Sequence, residues 1–149
     1  MTDDPLLLVR RTIRAPAARV FEAWTVPEHL MRWWGPKGAH CPEATVDLRP
    51  GGAYRIANRF SDGNSVWIVG EFEAVEPPHR LVYSWRLEPG PATRERVVVS
   101  FAAVAEGTEV TVRHERIGDA ALREGHEAGW RECLDGLETY FTARVGPAV

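Results

Sequence analysis

The chain has 149 residues, 44% of them hydrophobic, with a formal net charge of −3 and a sequence pI near 6.0. That length suits one domain, and that composition excludes an intrinsically disordered chain and a nucleic-acid binder run by bulk positive charge. The longest apolar runs, Leu6–Val9 and Phe101–Ala105, fall far short of the ~20 residues that a membrane span needs.

The elements read as follows in chain order. Met1–Pro5 is acidic where a secretory signal would be basic, so no leader is expected and the cytoplasm is the expected compartment. Leu6–Arg14 reads as a strand. Pro16 suits a helix start, and Ala17–Trp24 and Pro27–Trp33 read as two short helices, the second closed by Gly35-Pro36. From there the period changes to two. Ala44–Leu48 is a short strand before the Pro50-Gly51-Gly52 turn. Ala53–Phe60 follows, then a hairpin turn at Ser61–Asn64, then Val66–Val75. Leu81, Tyr83, Trp85 and Leu87 share one face of the next strand. Val97, Val99 and Phe101 share one face of another, and Val110, Val112 and His114 one face of the last. After Gly118, Asp119 can cap a long helix, Asp119–Ala143. His126, Trp130, Cys133, Leu134, Leu137 and Phe141 form its apolar stripe, opposite Glu124, Glu127, Arg131, Asp135 and Glu138.

One strand, two helices, six strands and a helix make an α+β domain over residues 1–149, with its core at about 6–144 and fraying expected at Met1–Pro5 and Val145–Val149. Short turns favour a meander. A curved antiparallel sheet wrapped around the C-terminal helix is the simplest packing that buries both apolar faces. Lys37 is the only lysine among 18 basic residues, a bias that suggests a GC-rich bacterial genome.

The candidate chemistry is sparse. Two cysteines, Cys41 and Cys133, cannot build a disulfide framework and read as reduced thiols. Cys41 follows His40 directly, so the two side chains point apart and make no nucleophile–base pair. Asp47-x-Arg49-x-Gly51-Gly52 reads as a braced turn rather than a phosphate cradle. A zinc set of His114, His126 and Cys133 lacks metal-ligand spacing. No catalytic residue, cofactor or metal is therefore expected. Tyr54, Asn58, Tyr83, Trp85, Phe101 and His114 fall on inward strand faces, opposite His126 and Trp130 of the helix. Buried hydroxyls and amides without partners are costly, so this set suggests a cavity rather than a closed core. The expected ligand is apolar and neutral or weakly anionic. Inward positions show no Asp or Glu, and a carboxylate would meet His114 or His126. Access is expected beside Trp33 and Trp34.

Trp24-x-x-Pro27, Trp33-Trp34-Gly35-Pro36, Asp47-x-Arg49-x-Gly51-Gly52-x-Tyr54 and Gly129-Trp130 resemble the activator of heat-shock protein 90 ATPase homologue-like family. That family belongs to the START-like (SRPBCC) helix-grip superfamily. The resemblance spans about residues 8 to 143. It implies a helix-grip fold with an apolar cavity between sheet and long helix. The leading functional reading is a small cytosolic domain, a monomer or weak homodimer, holding an apolar or aromatic small molecule without catalysis. Two alternatives stand beside it. One is a cyclase- or hydratase-type enzyme using His114, Tyr83 and Asn58. The other is a stress-response protein with a chaperone partner.

Overall fold

The computed structural model describes residues 6–144, and side chains as far as Thr142. The two segments expected to fray, residues 1–5 and 145–149, lie outside the described residues. The elements are β1 (Leu7–Ile13), α1 (Ala17–Thr25), α2 (Pro27–Trp33), β2 (Ala39–His40), β3 (Ala44–Val46), β4 (Ala53–Phe60), β5 (Ser65–Glu76), β6 (Arg80–Glu88), β7 (Glu95–Val104), β8 (Gly107–Glu115) and α3 (Ala120–Arg144). All strand pairs are antiparallel, in the order β1-β8-β7-β6-β5-β4-β2, with β3 also on β4. This is the expected α+β helix-grip architecture: a curled antiparallel sheet and one long C-terminal helix.

Alternating apolar positions give the sheet its buried face. Val97, Val99, Val110 and Val112 are fully buried, and Leu7 and Val9 continue that face onto β1. The stripe on α3 meets it with Trp130, Cys133, Leu134, Leu137 and Phe141, all buried. Asp119 starts the helix by accepting the backbone N–H of Leu122 at 2.8 Å. Where α3 passes β1, Arg11 donates to Asp135 and Glu138 at 2.7 and 2.9 Å. Exposed pairs of this kind contribute little, and apolar burial holds the helix.

Two details differ from the sequence reading. The sheet has eight strands, not seven, because Ala39–His40 pairs with Phe60 and Arg59. Two residues carry no readable period. The first strand after the helices also ends at Val46 rather than Leu48, because the turn starts earlier. Arg49 Nε donates to both carboxylate oxygens of Asp47 at 3.0 Å. A Cβ on Gly52 would lie 2.1 Å from the Asp47 carbonyl oxygen, so the chain can fold back here only with glycine. No helix among the described residues is long and apolar enough to cross a membrane.

Three glycines interrupt α3 for opposite reasons. A Cβ on Gly136 would sit 2.5 Å from the Trp33 carbonyl oxygen, so this glycine lets α2 and α3 touch. At Gly125 and Gly129 a Cβ would have nothing within 4 Å. Each costs about 0.8–1 kcal/mol of helix propensity relative to alanine, with no packing reason to offset it. Gly129→Ala is therefore expected to raise the unfolding free energy by up to about 1 kcal/mol. Gly136→Ala should lower it by about 1–3 kcal/mol through overpacking, despite the same propensity gain. Urea unfolding of the two variants checks this, and shifts of the same sign would contradict it.

Candidate functional site

A cleft of about 370 Å³ opens between α3 and the β4–β6 part of the sheet. Pockets that hold small ligands start at about 300 Å³. Its sheet wall is Asn58 and Phe60 of β4, Val66 and Ile68 of β5, and Trp85 and Leu87 of β6. Trp34 and Pro36, just after α2, line one end. On the helix side His126, Trp130 and Cys133 alternate with Gly125 and Gly129, whose missing side chains leave the space open. Two hollows of similar size, 460 and 430 Å³, lie over Asp135–Thr142 and over the outward residues of β4–β6. Both are lined mainly by polar and charged side chains and lack an apolar wall.

Behind the cleft lies a buried carboxylate. Glu95, the first residue of β7, is 3% exposed. Its Oε1 receives His114 Nε2 at 2.8 Å and His126 Nε2 at 2.9 Å. The two imidazoles stack, with centroids 4.8 Å apart and planes 16° from parallel. Trp85 sets its ring edgewise against both, at 4.7 Å from each.

The protons in this cluster follow from one contact. Trp130 Nε1 donates to His114 Nδ1 at 3.0 Å. An indole N–H only donates, so His114 Nδ1 carries a lone pair and its proton sits on Nε2. His114 is thus a neutral imidazole that donates to Glu95. Burial pushes its pKa down, and nearby His126 lowers it further, against the opposing pull of Glu95. For Glu95, burial alone would raise the pKa. The two histidine hydrogen bonds outweigh burial and hold it at about 2. An ionised carboxylate only accepts, so His126 also places its proton on Nε2. In a neutral His126 imidazole Nδ1 is then the lone-pair nitrogen, and it has no hydrogen-bond partner among the described residues.

Glu95, His114 and His126 bring metal-type donor atoms within 4.8 Å of one another. Cys133, considered with the two histidines from the sequence, is not part of this group. The wiring is that of a relay: with His114 Nδ1 taken by Trp130, its Nε2 presents a proton to Glu95 rather than a lone pair to a metal.

Of the ten residues proposed from the sequence, Trp34, Asn58, Trp85, His126 and Trp130 line the cleft. The other five stand behind its walls. Trp33 is buried, donates to the Ala23 carbonyl at 2.9 Å and packs on Trp24. Phe101 packs edgewise on Phe21 and Trp24. His114 is fully buried beneath Trp130. Tyr54 donates to the Ser84 carbonyl at 2.7 Å, and the Tyr83 hydroxyl accepts from Trp24 at 3.4 Å. The tyrosyl hydroxyls are therefore satisfied inside the core, and only about 20 Å³ lies between their rings. They do not supply the reason for a cavity.

The expectation that inward positions hold no acid is corrected by Glu95. Its parity was readable, since it stands two residues before inward Val97. A carboxylate ligand meeting His114 or His126 loses its basis, because Glu95 already takes both Nε2 protons. Cys133 is a cleft residue the sequence reading did not place there. Burial pushes its thiol up to about 12, so it is no nucleophile.

Residues 14–142 match the family model described as "Activator of Hsp90 ATPase homolog 1-like protein". The chain belongs to that family, and its fold is that of the START-like superfamily. Protein CV1439 from Chromobacterium violaceum is 26% identical, with a TM-score of 0.83 over 91% of this chain and 96% of that one. The AHSA1-like protein from Aeromonas hydrophila is 25% identical, with a TM-score of 0.80 over 94% of each chain. A protein from Rhizobium leguminosarum is 26% identical, with a TM-score of 0.76 over 93% of this chain and 95% of that one. A search of curated proteins gave no match.

The cluster makes stability depend on pH with a definite sign. His114 resists protonation in the fold, so stability falls as pH drops below its ordinary value of 6.5. Glu95 is lowered from 4.5 to about 2, so its contribution is complete above 4.5 and is lost between those values. Below pH 4.5, Glu95→Gln should flatten the plot of unfolding free energy against pH by up to one proton, about 1.4 kcal/mol per pH unit. Parallel curves for the wild type and the variant would contradict the buried carboxylate's role.

Proposed function

We propose that this protein binds a small, mainly apolar and uncharged molecule in the cleft between β4–β6 and α3. The observation that carries this reading is the pair Gly125 and Gly129. Both stand inside a long helix, above an aromatic-walled cleft, with open space where a side chain would go. Alanine would favour the helix at either position, so the fold gives up stability to keep the cleft open. Such trade-offs cluster where function needs them.

The walls set the ligand's character. Trp34, Phe60, Ile68, Trp85, Leu87 and Trp130 offer apolar surface, and its burial is worth about 25 cal/mol per Å². Glu95 behind the wall repels an anion, and both of its histidine contacts are already made. Access lies at the Trp34–Pro36 end, with Trp33 packed beneath it as support. A second reading, an enzyme of the cyclase or hydratase type, is favoured by one observation: Glu95 orients His126 as a base at the cleft wall. A chaperone partner rests on the family description alone.

Equilibrium dialysis with 2-methoxynaphthalene, a neutral aromatic probe, tests the binding reading. Wild type should bind one equivalent saturably. Gly129→Leu should keep the fold and its thermal stability while weakening binding at least tenfold, because leucine fills the cleft and suits the helix. No saturable binding to the wild type, or equal binding to both proteins, would remove the reading.

A further inference from the structure

The polar groups around the cleft can be accounted for one at a time. Asn58 Oδ1 accepts from Trp34 Nε1 at 3.0 Å, which turns the amide so that its NH₂ group remains without a partner among the described residues. Glu132, at the rim, accepts the Lys37 backbone N–H at 2.8 Å. The Cys133 thiol stays protonated. Trp85 Nε1 is the one buried side-chain nitrogen or oxygen without a hydrogen-bond partner among the described residues. His126 Nε2 is spent on Glu95, and its Nδ1, the acceptor of a neutral imidazole, has no partner among the described residues. The residues that line the cleft thus include two with unspent donor groups, Asn58 and Trp85, and one whose neutral form has an unspent acceptor, His126.

We infer that the cleft selects a hydroxyl-bearing apolar ligand, a phenol or an enol, whose O–H donates to His126 Nδ1 while its oxygen accepts from Trp85 or Asn58. This rests on the ligand-binding reading above and deepens it. A hydroxyl is the smallest group that both donates and accepts, so it can satisfy both kinds of orphan. An ether or ketone leaves His126 Nδ1 unmet. A carboxylate offers His126 no proton and stands near ionised Glu95. Trp85 touches the His126 ring edgewise at 4.7 Å between centroids, so donor and acceptor belong to adjoining side chains. Glu95 is a positioning residue here: by accepting from Nε2 it leaves Nδ1 as the acceptor of a neutral His126, as a carboxylate does behind many reactive histidines.

The test compares 2-naphthol, 2-methoxynaphthalene and 2-naphthoate by equilibrium dialysis at neutral pH. The naphthol should bind about tenfold more tightly than the methyl ether, the worth of a buried hydrogen bond of about 1.4 kcal/mol. The naphthoate should bind most weakly. His126→Phe should erase the naphthol's advantage, so that naphthol and ether bind that variant alike. If that variant does not fold, ¹⁵N NMR of the wild type replaces it. Naphthol should then shift the His126 Nδ1 resonance, and the ether should not. Equal affinities for naphthol and ether, tightest binding by naphthoate, a preference that survives His126→Phe, or an unmoved Nδ1 resonance would each overturn the inference. Binding of the ether without a hydroxyl preference sinks this inference alone. Binding of none of the three probes sinks the ligand-binding reading with it.

Discussion

A carboxylate that is 3% exposed has to be met by donors, and Glu95 draws them from two directions. His114 comes from the neighbouring strand β8 and His126 from α3. This junction ties the N-terminal half of the helix to the sheet at the place where apolar packing is thinnest. Farther along α3, Leu134 and Leu137 are fully buried and hold by packing alone. Near His126 the helix faces a cleft, so an ion-pair-like hydrogen bond replaces hydrophobic contact. Removing one member of such a cluster strands the others, which is why its protonation states follow so tightly from one another.

The same junction gives the cleft its chemistry. Trp130 fixes the tautomer of His114, His114 and His126 fix the charge of Glu95, and Glu95 fixes the tautomer of His126. One indole N–H at the helix thus sets the order of donors and acceptors along the cluster. The apolar walls supply affinity and the relay supplies direction. Neither depends on a nucleophile: the cleft thiol, Cys133, is held protonated by burial.

Most of the fold was legible because period-two strands and a four-turn apolar stripe are strong signals. The second helix matched Pro27–Trp33 residue for residue, since Pro27 and Gly35-Pro36 bracket it. The stripe from Trp130 to Phe141 is buried as expected. The site was legible only in part. Strand parity identified inward residues but not how far along the sheet the helix covers them. Tyr54, Tyr83 and Phe101 are inward yet lie under α1 and α2, where the core closes. Asn58 and Trp85 lie beyond that cover and face the cleft. Glu95 was missed although its parity with Val97 pointed inward, because it follows an irregular Pro-rich stretch and an acid at a strand start reads as exposed. Gly125 and Gly129 lie outside the apolar stripe, and the open space beside them is visible only in the fold.

The most direct test of this account is a crystal structure with 2-naphthol bound. The naphthalene rings should lie between Trp34, Trp85 and Trp130, with the hydroxyl oxygen within hydrogen-bond distance of His126 Nδ1 and both Nε2 contacts to Glu95 intact. A naphthol found with its oxygen in solvent at the cleft mouth, or a cleft closed by inward movement of α3, would contradict the account.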